Sequence, residues 1–212
     1  MINNTGKTWL WLVIIAVTIL GVGAFMAINS SKGDLLIDDF EGEISAKTVD
    51  YGTGAGAIIS DVSAAKDIKY HGEQSLKFVY EEVPDGYMWL ARGYNLDVKG
   101  AAVWLVDPKN INWKRYYAFS FYLYGTNSGA SIALDLIDSG FEYQRTMIKD
   151  DFIGWKQIVC PLDKFMPRGD WQPEKADANG KIDFPINAFQ FEPRSVGKGT
   201  LHIDYVQLLE KK

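Results

Sequence analysis

Hydrophobic and polar positions follow two rhythms along the chain. Residues 8–28, "TWLWLVIIAVTILGVGAFMAI", pass without a charge. That run of about 21 residues matches the length a helix needs to cross the hydrocarbon core of a bilayer. Beyond it the period drops to two. "SLKFVYE" (75–81), "AFSFYLYG" (118–125), "SIALDLI" (131–137), "WKQIVCPL" (155–162), "AFQFEP" (188–193) and "LHIDYVQLL" (201–209) alternate or are rich in β-branched and aromatic residues, the signature of strands. Shorter candidates lie at 35–40, 57–62, 89–96 and 142–149, giving about ten strands. The clusters between them, such as "GTNSGA", "DSG" and "SVGKG", are turn chemistry, and no stretch has a sustained helical period. The pattern predicts an all-β protein, a jelly-roll β-sandwich of two antiparallel sheets preceded by one N-terminal transmembrane helix.

This divides the chain into a tail at 1–7, an anchor at 8–28, a short linker at 29–34 and the sandwich at 35–212. Trp9 and Trp11 would sit near one membrane interface. Val22-Gly23-Ala24 is a passable cleavage site, but it falls inside the apolar run, so an uncleaved anchor is favoured over a cleaved signal. Lys7 before the run and Asp34, Asp38, Asp39 and Glu41 after it place the N-terminus in the cytoplasm and the sandwich on the periplasmic or extracellular side. The six linker residues reach roughly 20 Å at about 3.4 Å per residue, which keeps the sandwich close to the lipid. The net charge of −5 excludes a basic nucleic-acid surface. Cys160 is the lone cysteine and reads as core filler.

Alternation also sorts faces. Phe119, Phe121, Leu123, Phe189 and Phe191 point one way, and Ser120, Tyr122, Tyr124, Gln190 and Glu192 the other. With Leu134, Leu136 and Trp155, the first set is the expected core, Trp155 following a tight turn at Gly154. The second set, joined by Asp135, mixes rings with hydrogen-bonding groups. That chemistry suits sugar recognition; a solvated face, or one covered by a partner, has the same composition. In the loop "FMPRGDWQPEKADANGK" (165–181) Trp171 either caps the sandwich or awaits a ligand.

The ordered set "DDFEGE", "GEQSLKFVYE", "YYAFSFYLYGTNSGASIALDLIDSGFEY", "DFIGWKQIVCPLDKF" and "GTLHIDYVQL" resembles the jelly-roll carbohydrate-binding modules of the family 11 type over nearly all of residues 35–209. The same sandwich is similar to the domain of a complex I assembly factor, which binds protein partners. The resemblance implies candidate ligand contacts at Trp89, Arg92, Tyr122, Asp135, Arg168, Asp170, Trp171 and Gln190, with the Trp171 loop at the rim of a binding face. It also implies a structural calcium ion, for which Asp39, Glu41 and Asp204 offer hard oxygen ligands; the alternative is that the early acidic residues face solvent.

Catalytic readings find little support. His71 and His202 have no metal-ligand or triad spacing, and Asp135, Asp138 and Glu142 lie where carboxylates commonly punctuate turns. Two non-enzymatic functions remain. In the first, favoured because no hydrolase is attached to be targeted, the sandwich is an accessory subunit docked on a membrane protein complex. In the second, it is a membrane-tethered glycan-binding module.

Overall fold

A computed structural model of the protein describes residues 33–212. The tail, the anchor and all but the last two linker residues lie outside the described residues. Among the described residues helical structure is limited to four three-residue 3-10 turns, and no helix is long and apolar enough to cross a membrane.

The rest is β-structure. Twelve strands form: β1 (Leu35–Asp38), β2 (Asp50–Gly54), β3 (Ile58–Ala65), β4 (Ser75–Glu82), β5 (Tyr87–Gly93), β6 (Tyr116–Thr126), β7 (Ser131–Ile137), β8 (Tyr143–Lys149), β9 (Ile153–Pro161), β10 (Met166–Pro167), β11 (Ala188–Pro193) and β12 (Gly197–Glu210). One sheet runs β3-β4-β12-β6-β9, with β1 added to β12. The other runs β10-β8-β7-β11-β5-β2. All the pairings are antiparallel, so the expected two-sheet sandwich is what forms.

The inner faces carry the residues that alternation assigned to them. Phe119, Phe121, Leu134, Leu136, Phe189 and Phe191 are at most 1% exposed. At roughly 1.5–3 kcal/mol per fully buried large apolar side chain, this seam holds the sheets together. Phe189 sits at its centre, with the rings of Phe40, Phe119, Phe191 and Trp104 all within 6.5 Å of it, centroid to centroid. Cys160 is buried and free, as expected of core filler. Trp155 differs from expectation. It pairs with Tyr124 in register, so it shares the outward side of the first sheet and is only half-buried.

Two strands escaped the sequence pattern. β10 is two residues long. β2, "DYGTG", reads as a turn because of its glycines. Those glycines have a packing reason: a Cβ at Gly52 would run into the Trp89 ring, and one at Gly54 into Tyr87. Both rings belong to the neighbouring strand β5, so the edge of the second sheet is kept bare for aromatic side chains to lie across it.

Candidate ligand-binding face

The outer face of the second sheet concentrates polar chemistry in one register row. From edge to edge it reads Met166, Arg145, Asp135, Gln190, Ala91 and Asp50. The middle of the face is kept low by small residues: Ala91, Ala133 and Ala188 are essentially unexposed. Rings rise beside them. Tyr87 and Trp89 stack with centroids 6.3 Å apart and planes 10° from parallel, and the Trp89 indole N–H is held by the Asp50 carboxylate at 3.3 Å.

Around Asp135 three carboxylates meet three arginines. Arg145 donates to both oxygens of Asp135, at 2.6 and 2.7 Å, and from Nη2 to Glu192 at 2.7 Å. Arg168, from the loop after β10, reaches Glu192 and Asp135 with Nη1 and holds Asp170 by Nε at 2.8 Å. Arg194 approaches Glu192 and Asp170 at 3.4 Å each. The Gln190 amide fills the gap, donating to Glu192 at 2.8 Å and Asp135 at 3.3 Å. Such forked, charge-assisted contacts fix side-chain geometry as well as adding energy. Burial pushes the Glu192 carboxyl above its usual range, with the Asp135 charge adding to it and the arginines opposing. For Arg145, burial works against the cation, yet the hydrogen bonds and charges of Asp135 and Glu192 raise it further above its normal value. Asp170 is partly buried, but the Arg168 guanidinium holds it below the ordinary carboxylate range.

Trp171 stands at the rim of this network. It is 51% exposed, makes an edge contact with Tyr143 at 5.3 Å and lies under the Arg168 guanidinium at 5.4 Å. The loop that carries it is pinned by Gln172, whose side chain accepts from Tyr143 N and donates to Tyr143 O, both at 2.8 Å. The ring is therefore presented on a fixed base with about half its surface in water.

Six of the eight expected contacts, Trp89, Asp135, Arg168, Asp170, Trp171 and Gln190, come together on this face; Arg92 and Tyr122 do not. Arg92 points inward from β5, 2% exposed, where it meets Asp38 and lies over the Phe40 ring at 4.9 Å. Tyr122 belongs to the outer face of the other sheet, stacked on Tyr70 at 3.4 Å with Tyr205 edge-on. The hydrogen bond with Tyr70 pushes its phenol up to about 12. The sequence grouped Tyr122 and Tyr124 with Asp135 because period two separates inward from outward without saying which sheet is meant. Arg145, Arg194, Tyr87 and Tyr143 were missed; Tyr143 and Arg145 face the site only because β8 pairs with β7.

The expected cation ligands are partly assembled. β1 does run beside β12, but among the described residues no three His, Cys, Asp or Glu side chains converge as a metal site. Asp39 turns away to accept from the Glu41 amide at 3.1 Å. Asp204 and Glu41 grip the same 70–74 turn: Asp204 Oδ2 accepts from Tyr70 N and His71 N at 2.9 and 3.0 Å, and Glu41 Oε1 from Glu73 N at 2.9 Å. Asp204 Oδ1 is buried with no partner. Burial raises this carboxyl, and the Glu41 charge contributes. An orphaned buried oxygen beside a second carboxylate suits a hard cation, with Asp39 outside the ligand set. Asp138 and Glu142 brace their own turn and tie it to residues 180–183, accepting from Glu142 N, Asp183 N and Gly180 N at 2.9–3.0 Å.

The profile of the carbohydrate binding domain (family 11) matches residues 27–211. No curated protein matches the chain. Among solved structures, the family 11 module of a cellulosomal cellulase of Clostridium thermocellum superposes with a TM-score of 0.64 at 20% identity, over 84% of this chain and 95% of that one. A family 11 module from the same organism in complex with a β-1,3-1,4-mixed-linked tetrasaccharide gives 0.64 at 21%, over 84% and 96%. A β-1,2-glucanase from Parabacteroides distasonis gives 0.56 at 14%, over 84% of this chain but 25% of that enzyme. At these identities the likeness establishes the fold.

Proposed function

This chain belongs to family 11 of the carbohydrate-binding domains, and from that premise we propose that the outer face of its second sheet binds a glycan chain without cleaving it. One observation carries the reading: a charge-balanced arginine–carboxylate network on a solvent-facing sheet, bordered by exposed rings. Sugar hydroxyls both donate and accept, so alternating Arg and Asp or Glu side chains can meet them in either role. Pyranose C–H faces pack on flat rings such as Trp89 and Trp171. The family membership reverses the order of the two readings left by the sequence, since glycan binding now has both a family and a face behind it and docking on a membrane protein complex has neither.

The ligand class is a β-1,3-1,4-linked oligosaccharide, the kind found in complex with a structural relative. Binding of a β-1,3-1,4-linked tetrasaccharide, followed by titration calorimetry, tests this. Arg168→Lys keeps the charge but loses the fork, and a weakening of about tenfold, roughly 1.4 kcal/mol, is expected. Absence of binding to the tetrasaccharide, with the protein folded, overturns the ligand class.

Two further parts of the proposal concern its setting. Residues 8–28 tether the module to a bilayer, with the sandwich on the extracytoplasmic side; retention of this segment in the membrane-extracted protein, read by mass, supports it. A calcium ion held by Asp204 and Glu41 with loop carbonyls ties β12 and the β1 end to the 70–74 turn. Calcium should then raise the Tm, by an amount equivalent to about 2.7 kcal/mol at a hundredfold excess over Kd, and a chelator should reverse it. Calcium should leave the Tm of Asp204→Asn unchanged while it raises that of wild type; no response in wild type removes the ion.

A further inference from the structure

We infer that the end of the sandwich where the chain enters it is a lipid-contacting surface, on which Tyr117 and Phe184, backed by the buried Trp113 and flanked by Lys114 and Lys211, take the headgroup region of a phospholipid bilayer. The inference rests on the tether reading above and concerns a surface separate from the glycan face.

The location follows from hydrogen bonds. Asp34, at the start of the sandwich, accepts from Glu210 N at 2.9 Å. The next residue, Lys211, donates from its backbone to Arg115 O at 2.8 Å and from Nζ to Lys114 O at 3.0 Å. Beside them opens a groove of about 380 Å³ lined by Trp113, Tyr117, Phe184 and Leu162, with Lys114 and Lys211 on its rim. The point of chain entry and the groove therefore share one end of the sandwich.

Its chemistry is that of a membrane interface. Trp113 and Phe184 stack at 5.4 Å and 16°. Phe184 and Tyr117 are 45% and 42% exposed, a large aromatic area to leave in water. The Trp113 indole N–H is satisfied by Pro108 O at 3.0 Å, which fixes the ring that Phe184 leans on. The two lysines are exposed; of the acidic neighbours, Glu210 pairs with Arg115 at 2.7 Å, and Asp163, which also lines the groove, is exposed and lies 3.9 Å from Lys164. Rings at the acyl boundary with lysines reaching phosphates is the arrangement that interfacial residues adopt. Chain length makes it reachable, because residues 29–34 span at most roughly 20 Å at about 3.4 Å each.

The test uses the full chain reconstituted in vesicles of phosphatidylethanolamine and phosphatidylglycerol. A nitroxide is placed at Tyr117→Cys, at Phe184→Cys and, as reference, at Met147→Cys on the glycan-bearing sheet. Cys160 is buried, its thiol pushed up to about 12 by that burial, and stays unlabelled. The ratio of collisions with lipid-soluble oxygen over a water-soluble nickel complex should be severalfold higher at 117 and 184 than at 147. Equal, water-like ratios at all three sites, in chains that resist alkaline carbonate extraction, overturn the lipid surface while leaving the tether. Chains released by carbonate remove the tether, and the inference with it.

Discussion

Two of the protein's arginine–carboxylate sites lie a few strands apart, and they are built to opposite ends. Between the sheets, Arg92 meets Asp38 with both side chains 2% exposed, Nε and Oδ2 2.8 Å apart. That approach is not aligned as a hydrogen bond, and Arg92 Nη1 has no partner among the described residues. On the outer face of the second sheet, Arg145, Arg168 and Arg194 share Asp135, Asp170 and Glu192, and every one of these groups makes a hydrogen bond or ion pair. The interior pair has surrendered its water for one hydrogen bond, from Arg92 Nη2 to Asp38 Oδ1 at 3.2 Å, and that unaligned approach. The outer network keeps a wet rim, with Asp170 44% and Arg194 33% exposed at the side chain. A buried pair of this kind contributes little net stability, yet removing one member is costly. A satisfied network at a solvent boundary is preorganised to exchange part of its hydration for a ligand's hydroxyls.

The largest expected effect separates them on stability. Arg92→Met leaves Asp38 buried without its counter-charge and should cost about 3–5 kcal/mol, seen in denaturant unfolding. Glycan affinity of the folded fraction should not move, because Arg92 faces away from the site. Arg92→Met combined with Asp38→Leu should recover most of the loss. A single variant that unfolds at the wild-type denaturant concentration would mean that the interior pair is solvated after all.

Next in size is the reverse case, an effect on binding without one on fold. Trp171→Ala should weaken the glycan by about 1–3 kcal/mol, as truncation of an exposed aromatic anchor does. Its Tm should hardly change, because half the ring is in water and its contacts are confined to Tyr143 and Arg168. A drop of 3 kcal/mol or more in stability, typical of core aromatic truncation, would assign the ring to the scaffold.

The same contrast explains what could be read from the chain beforehand. Alternation along "YMWLARG" puts Trp89 and Arg92 on opposite faces, since they are three positions apart, so the inward Arg92 was legible although the resemblance grouped it with the ligand contacts. The core phenylalanines were legible for the same reason. Tyr122 was not: parity says outward, but assignment to a sheet needs the pairing of β6 with β9 and β12, which is set by contacts distant in sequence. Nor was the partnership of Arg145 with Asp135, which depends on β8 folding back on β7 in one particular register. β2 was hidden by glycines whose purpose is visible only once Trp89 and Tyr87 lie across them. Residue types announced the chemistry of the site, while strand pairing decided its membership.

The remaining effects are gradual, developing with pH, where the two sites should differ in sign. Burial pushes the Asp38 carboxyl from 3.8 up to about 6, against the opposing pull of Arg92. A carboxyl raised in the folded state contributes stability that is fully present below its unfolded value and is lost as pH rises through the folded one. The stability gap between wild type and Asp38→Asn should therefore shift in favour of wild type as pH falls from about 7 towards 4, by up to about 3 kcal/mol. Asp170 runs the other way. Although burial opposes it, Arg168 lowers this carboxyl, so its contribution is present above the unfolded value and fades as pH falls below about 4. Being 44% exposed at the side chain, it should give a shallow slope, further reduced by salt. Denaturant midpoints of wild type, Asp38→Asn and Asp170→Asn across this range measure both trends; slopes of the same sign would show that the interior and outer carboxylates feel one environment, and the contrast between the sites would fail.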